Sequence, residues 1–317
     1  MALIDAAQQN ERIVALTADL CTTSGLDRFK KAYPHRLYNV GIAEQNMVGI
    51  AAGMAAGGDI PFATTFASFA ALRSCEQIRH FMGYMEENVK LVGFGAGFAM
   101  GMFGTTHYGI EDIAAIRAIN NIVILSPADS GETVKATLAA AGFDGPVYLR
   151  LAGVMNNPIV YKEDYDFEIG KAIMLREGTD VAIIATGTMV HSSLKAVRFL
   201  EERGLSCKVI DMHTIKPLDK NVICMACETK LIITVEEHSI IGGLGSAVAE
   251  CLAQSDKHPP LLIIGISDEY KHAGDYFYLL EQYGLTPQKI AEKILNRYME
   301  LSLAVSSDSL AQRTIQR

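Results

Sequence analysis

The chain reads as an α/β protein of two doubly wound domains, on three observations. Short apolar runs rich in Val, Ile and Leu alternate with helical patterns throughout, which predicts parallel sheets with helices on both faces. A length of 317 residues suits two domains, and a hydrophobic share of 50% is ample for buried cores. The alternation breaks once, in an irregular polar stretch at 153–179. It separates a first domain, 1–152, from a second, 180–317, with 153–179 as linker.

Composition excludes several function classes. A net charge of −8 argues against a nucleic-acid surface, so partners are expected among proteins and small molecules. No uncharged apolar run of about 18 residues occurs, so no membrane span is expected. The first residues lack a basic region followed by an apolar stretch, so no secretory signal is expected. Six cysteines stand at 21, 75, 207, 224, 227 and 251. Cys224 and Cys227 form a C-x-x-C, yet no second pair lies at metal spacing and the segment reads as an amphipathic helix. They are expected to be reduced core cysteines of a cytoplasmic protein.

In the first domain, an apolar strand at 12–18 ends at Asp19 and a polar loop, 21–27. Ligands of doubly wound sheets gather beyond the carboxyl ends of strands, so this loop is a candidate pocket wall. Asp19 could equally cap a turn. A strand-like run at Tyr38 turns at Gly41 into a helix at 44–57, which is small and apolar on every side and so expected to be buried. Glu44 at its mouth either complements the helix dipole or is a working carboxyl, because burying such a group is costly unless its proton is used. A strand at 60–65 leads to a helix at 66–82, where the spacing of Phe66 and Phe69 puts both rings on one face. Ordinary core packing is the other reading of those rings. A strand at 89–94 runs into the glycine-rich stretch 93–104. It holds no G-x-G-x-x-G and no helix follows directly, so it reads as a loop lining a cleft. His107 closes that loop; a lone loop histidine is commonly only solvated, but its position after this loop favours a role at the pocket. A helix at 111–118, a strand at 122–125, a helix at 131–141 capped by Asp129 or Ser130, and a strand at 146–151 carrying Arg150 complete the domain.

A short strand, 169–175, precedes the second domain. There, strands at 181–186, 207–211, 231–235 and 261–265 alternate with helices at 190–203, 219–229 and 245–254. Glu236-Glu237-His238 before Gly242-Gly243-Leu244-Gly245 looks like a catalytic cluster, but a structural strand-to-helix turn is preferred. Helices at 276–283 and 287–299 precede a tail, 302–317, expected to be loosely held.

The run YNVGIAEQNMVGIAAGMAAGG, followed by PFATTFASF, resembles the pyrimidine-binding domain of the transketolase family of thiamine diphosphate enzymes. The rest of the chain follows the same family through its C-terminal domain. The resemblance implies that Glu44 hydrogen-bonds the aminopyrimidine ring of the coenzyme and promotes its reactive tautomer. A carboxyl shielded from water can share a proton with a ring nitrogen, which agrees with that role. Phe66 and Phe69 match the family's aromatic stack around the pyrimidine; Leu72 stands where a third aromatic is common. Asp19 matches an aspartate near the cofactor, and Thr23 and Ser24 become candidates for substrate contact. His107 matches the histidine that contacts the carbonyl and hydroxyl oxygens of the donor.

Departures from the family bear on the substrate. Phe103 replaces an aspartate that reads a substrate hydroxyl, Gly95 a histidine, and Gly153 the phosphate-binding arginine, leaving Arg150 as the nearby cation. A phosphate needs guanidinium or ammonium partners. An apolar or unphosphorylated substrate, or one read by a partner chain, is therefore expected. No G-D-G occurs, although the family binds the metal and diphosphate through G-D-G and a later Asn. The resemblance thus implies the C-terminal subunit of a split enzyme that transfers a two-carbon ketol unit from a ketose-type donor to an aldehyde. An N-terminal partner would hold the diphosphate and a divalent metal, usually Mg2+, in a heterotetramer with two copies of each chain. Three alternatives stay open: a β-type subunit of a 2-oxoacid dehydrogenase, a 1-deoxyxylulose-phosphate synthase-like half, and a non-catalytic subunit retaining the fold.

Overall fold

A computed structural model of the chain describes the backbone of residues 1–315 and the side chains of residues 1–303. The strands are β1 (Ile13–Thr17), β2 (Leu37–Asn39), β3 (Ile60–Phe66), β4 (Lys90–Ala96), β5 (Val123–Leu125), β6 (Val147–Ala152), β7 (Ile173–Arg176), β8 (Val181–Ala185), β9 (Cys207–Asp211), β10 (Thr214–Lys216), β11 (Leu231–Ser239) and β12 (Leu261–Ile266). They form a seven-stranded sheet, β10-β5-β6-β4-β3-β1-β2, and a five-stranded sheet, β12-β11-β8-β9-β7. Among these strands, only the edge strands β10 and β7 pair antiparallel. Strands β1, β3, β4 and β8 are buried along their whole length, as strands covered on both faces must be.

Helix Glu44–Ala56 covers one face of the first sheet, packing Met47, Val48 and Ala51 with Val14, Leu16, Ala63 and Leu91. Helices Ala2–Gln9 and Ser130–Gly142 cover the other, packing Ala6, Ala136 and Ala140 with Ile13, Phe62 and Val92. The architecture is the two-domain, doubly wound α/β class.

Several expectations need correction. Helix Glu44–Ala56 is not buried all round: Gln45, Asn46, Gly53 and Ala56 are exposed, and Ile50, Met54 and Ala55 half-buried. Gly49 packs near Phe81, whereas a Cβ at Gly53 would meet nothing within 4 Å. Phe66 ends β3 and does not open the next helix, which is wound in wide i→i+5 turns over Phe69–Arg73 and Ile78–Tyr84. β10 crosses to the first sheet although it follows β9 in the second; three residues carry no periodicity to reveal this. The closing helix runs Pro287–Ile315, well past 299, so much of the expected loose tail is helical. Residues 316–317 of that tail lie outside the described residues. Cys224 is exposed and Cys227 half-buried, so the C-x-x-C lies near the surface. Among the described residues, no helix is long and apolar enough to cross a membrane.

Two buried polar networks lock the halves together. Arg150, expected as a substrate cation, is 1% exposed. Its Nε donates to both oxygens of Asp112 at 3.2 and 2.9 Å, and its Nη2 to the carbonyls of Gly109 and Glu237 at 3.0 and 2.9 Å. A guanidinium enclosed in this way is out of reach of a substrate. β11 carries Glu236, Glu237 and His238 into the same region. Glu236 accepts from the amides of Leu244 and Gly245, stapling the turn into helix Leu244–Leu252. Glu237 accepts from Phe98 N, Thr188 Oγ1 and Tyr276 OH, and His238 Nε2 accepts from Ala114 N. Desolvation pushes Glu236 up to about 7 and His238 down to about 4. The cluster is a turn and a domain clasp, the structural reading of its sequence.

The second network holds the connector. Asp129 caps helix Ser130–Gly142 by accepting from Glu132 N at 2.8 Å, and its other oxygen accepts from Val160 N and Tyr161 N. Tyr165 donates to Glu132 at 3.0 Å and Tyr161 to Asp211 at 2.6 Å, their rings stacked 3.9 Å apart. Desolvation among neighbouring carboxyls pushes Glu132 up to about 7 and Asp211 far above the usual carboxylate range.

Both networks can be tested by substitution. Arg150→Met strands Asp112 in the interior and should cost about 3–5 kcal/mol in urea unfolding; a loss below about 1 kcal/mol contradicts the clasp. Glu132 titrates near 7 in the fold against 4.5 for the ordinary group, so the stability it lends is full below about 4.5 and lost as pH rises through 7. Glu132→Gln should therefore gain stability relative to the unmodified chain across that window, and a pH-independent difference would count against the account.

Candidate active site

The carboxyl ends of β4, β3, β1 and β2 lie side by side, with Phe94 opposite Phe66, and Thr17 between Thr64 and Asn39. Loops leaving these four ends converge where parallel sheets place ligands.

Asn39 organises the β1–β2 side. Its Oδ1 accepts from the amides of Asp19 and Gly41, both at 3.0 Å, and its Nδ2 donates to Asp19 Oδ1 at 2.8 Å. Asp19 is thereby held at φ 60°, a left-handed conformation uncommon outside glycine, and exposed at the rim. Gly41, at φ 76°, makes the turn that delivers Glu44 to the first turn of its helix.

Glu44 is 2% exposed. Its Oε2 accepts from Arg73 Nη1 at 2.7 Å, and the helix N-terminus also favours a carboxylate there. The Arg73 side chain is 45% exposed, and its Cζ lies 4.1 Å from the centroid of Phe69. Phe69 meets Phe66 edge-on at 5.8 Å, and Phe66 packs on Phe94 at 4.7 Å. The His107 ring lies 5.8 Å from Phe66, 5.2 Å from Phe69 and 5.2 Å from Phe103, with Nδ1 3.0 Å from Thr106 Oγ1. Gly95, at φ 66°, allows this closeness: a Cβ there would stand 2.9 Å from Met100 and 3.2 Å from the Phe66 ring.

The structure therefore brings Glu44, Phe66, Phe69 and His107 into one chain of contacts, with Asp19 at the rim. Thr23 and Ser24 are not part of this chain of contacts. Thr23 is exposed, and Ser24 Oγ donates to Cys21 O within its own turn. Arg150 belongs to the clasp. Sequence reasoning missed Arg73, Phe94 and Asn39. An arginine four places after Phe69 on a helix was the available signal for the first. The wide turn at Phe69–Arg73 puts Arg73 over the ring and leaves Leu72, the position read as part of the stack, 52% exposed. Phe94 shares the alternation of Val92 along β4. Asn39 gave no signal, because its role depends on β1 and β2 pairing.

A buried carboxylate beside aromatic faces, with an imidazole at the same ring, suits a flat basic heterocycle with a polar substrate next to it. This donor set fits the aminopyrimidine of thiamine diphosphate. Known proteins similar to the chain point to one family. The family model for the transketolase pyrimidine binding domain matches residues 1–153, and that for the transketolase C-terminal domain matches residues 170–290. A 6-deoxy-6-sulfo-D-fructose transketolase subunit of Clostridium sp. (strain MSTE9) is 42% identical over 291 residues, 91% of this chain and 89% of that one. An apulose-4-phosphate transketolase subunit of Phocaeicola vulgatus is 38% identical over 294 residues, 92% of this chain and 94% of that one. A solved split-gene transketolase, described as an inactive β4 tetramer, superposes with a TM-score of 0.83 at 41% identity, covering 94% of this chain and 95% of that one. Carrying both domains in order, and matched over nearly its whole length by subunits of split transketolases, the chain belongs to the transketolase family.

Proposed function

We propose that the chain is the pyrimidine-binding subunit of a thiamine diphosphate-dependent transketolase, transferring a two-carbon ketol unit from a ketose-type donor to an aldehyde acceptor. The observation that carries this reading is Glu44, a carboxylate 2% exposed and linked through Arg73 to the Phe69 ring that His107 also touches. When bound, the coenzyme supplies the carbon nucleophile that takes up the donor's carbonyl. Glu44 meets the aminopyrimidine ring nitrogen from a buried position and exchanges a proton with it at that atom. Phe66 and Phe69 offer the faces and edges that keep the ring in place. His107, oriented by three aromatic neighbours and Thr106, donates to the oxygens of the donor. Asp19 contributes at the rim, and Thr23 and Ser24, on the loop after β1, would contact the substrate from outside this cluster.

Phe103, 65% exposed beside His107, gives the substrate an apolar wall. The two named relatives handle sugars with a sulfo or a phosphate group. With Arg150 enclosed, the charged end of such a donor would be held by the partner subunit. That partner, an N-terminal diphosphate-binding subunit, would also bind the divalent metal, magnesium in the family's usual form. The exposed face of helix Glu44–Ala56, with Ile42 at 77% and Leu72 at 52% exposure beside it, suits the contact. Two copies of each chain in the cytoplasm complete the reading, and the free cysteines fit that compartment.

In the assembly reconstituted with the diphosphate-binding subunit, Glu44→Gln should lower kcat by about 100-fold or more, with assembly and melting temperature unchanged. Normal turnover by that variant would remove the proposal's basis.

A further inference from the structure

Arg73 makes both of the contacts that the proposed chemistry asks of a heterocycle. A guanidinium is planar and cationic, donates hydrogen bonds in its plane and stacks through its face. Arg73 uses the first property on Glu44 Oε2 at 2.7 Å and the second on Phe69 at 4.1 Å. An aminopyrimidine wants the same carboxylate and the same ring. Glu44 is fixed in the interior, whereas the Arg73 side chain is 45% exposed and has a route to solvent. The wide helical turn Phe69–Arg73 is what sets the guanidinium over the ring.

We propose that Arg73 is a positioning residue that braces Glu44 and Phe69 and competes with the coenzyme's aminopyrimidine for them, so that coenzyme uptake swings the guanidinium outward. The proposal rests on the reading of Glu44 given above. An ion pair with one half-exposed partner is weak enough to be displaced, and its loss should be felt as a several-fold change in affinity.

The test is a titration of the reconstituted assembly with thiamine diphosphate at fixed magnesium, read by calorimetry, with melting temperatures as a control for folding. Arg73→Gln should tighten the dissociation constant roughly fivefold. In a Glu44→Gln background the same change should shift it by less than about twofold, because the contested carboxylate is gone. Arg73→Met, which keeps the aliphatic stem against Phe69, gives the same comparison if the glutamine variant fails to assemble. An unchanged or weaker dissociation constant in the single variant overturns the competition and leaves Arg73 as a brace alone. Failure of the unmodified assembly to take up coenzyme would instead sink the reading of the site, and this proposal with it.

Discussion

The ion pair of Arg150 and Asp112 fixes how the two sheets sit. Both groups are buried, and such a pair is tolerable only when each partner stays in place and its remaining hydrogen-bonding atoms are met. Arg150 also holds the carbonyls of Gly109 and Glu237, one from each half of the chain, so sliding of the halves would strip a buried charge. Gly109 pairs in turn with Gly97, closing the loop that bears His107. The orientation of that loop is thus inherited from the clasp.

The same rule explains the candidate site on a smaller scale. Glu44 lies at the head of a helix whose buried face is locked onto the sheet by Met47 and Val48, so the carboxylate cannot withdraw to water. Something cationic or hydrogen-bonding has to meet it, and within this chain Arg73 does. One side of the site is therefore buried and fixed, and the other, the Arg73 side chain, is 45% exposed. That combination is what a subunit needs if a coenzyme is to be shared with a second polypeptide.

Much of the fold was legible in the sequence. Helix Glu44–Ala56 falls within one residue of its expected end, because a run of Ala, Gly, Met and Val bounded by glycines has few other solutions. The central strands were legible as continuous apolar runs, which only strands covered on both faces show. Burial partners were not legible. Arg150 looked free because nothing in the sequence places Asp112, 38 positions earlier, against it. Arg73 escaped notice because ordinary helical spacing assigns the Phe69 face partly to Leu72, and a wide turn changes that assignment. The role of Asn39 required knowing which strand neighbours which.

Coenzyme uptake by equilibrium dialysis tests the central claim most directly, using thiamine diphosphate and magnesium with the chain alone and with the proposed diphosphate-binding partner. The account predicts no retention by the isolated chain and one coenzyme for each pair of unlike subunits. Stoichiometric retention of coenzyme and metal by the isolated chain would contradict it.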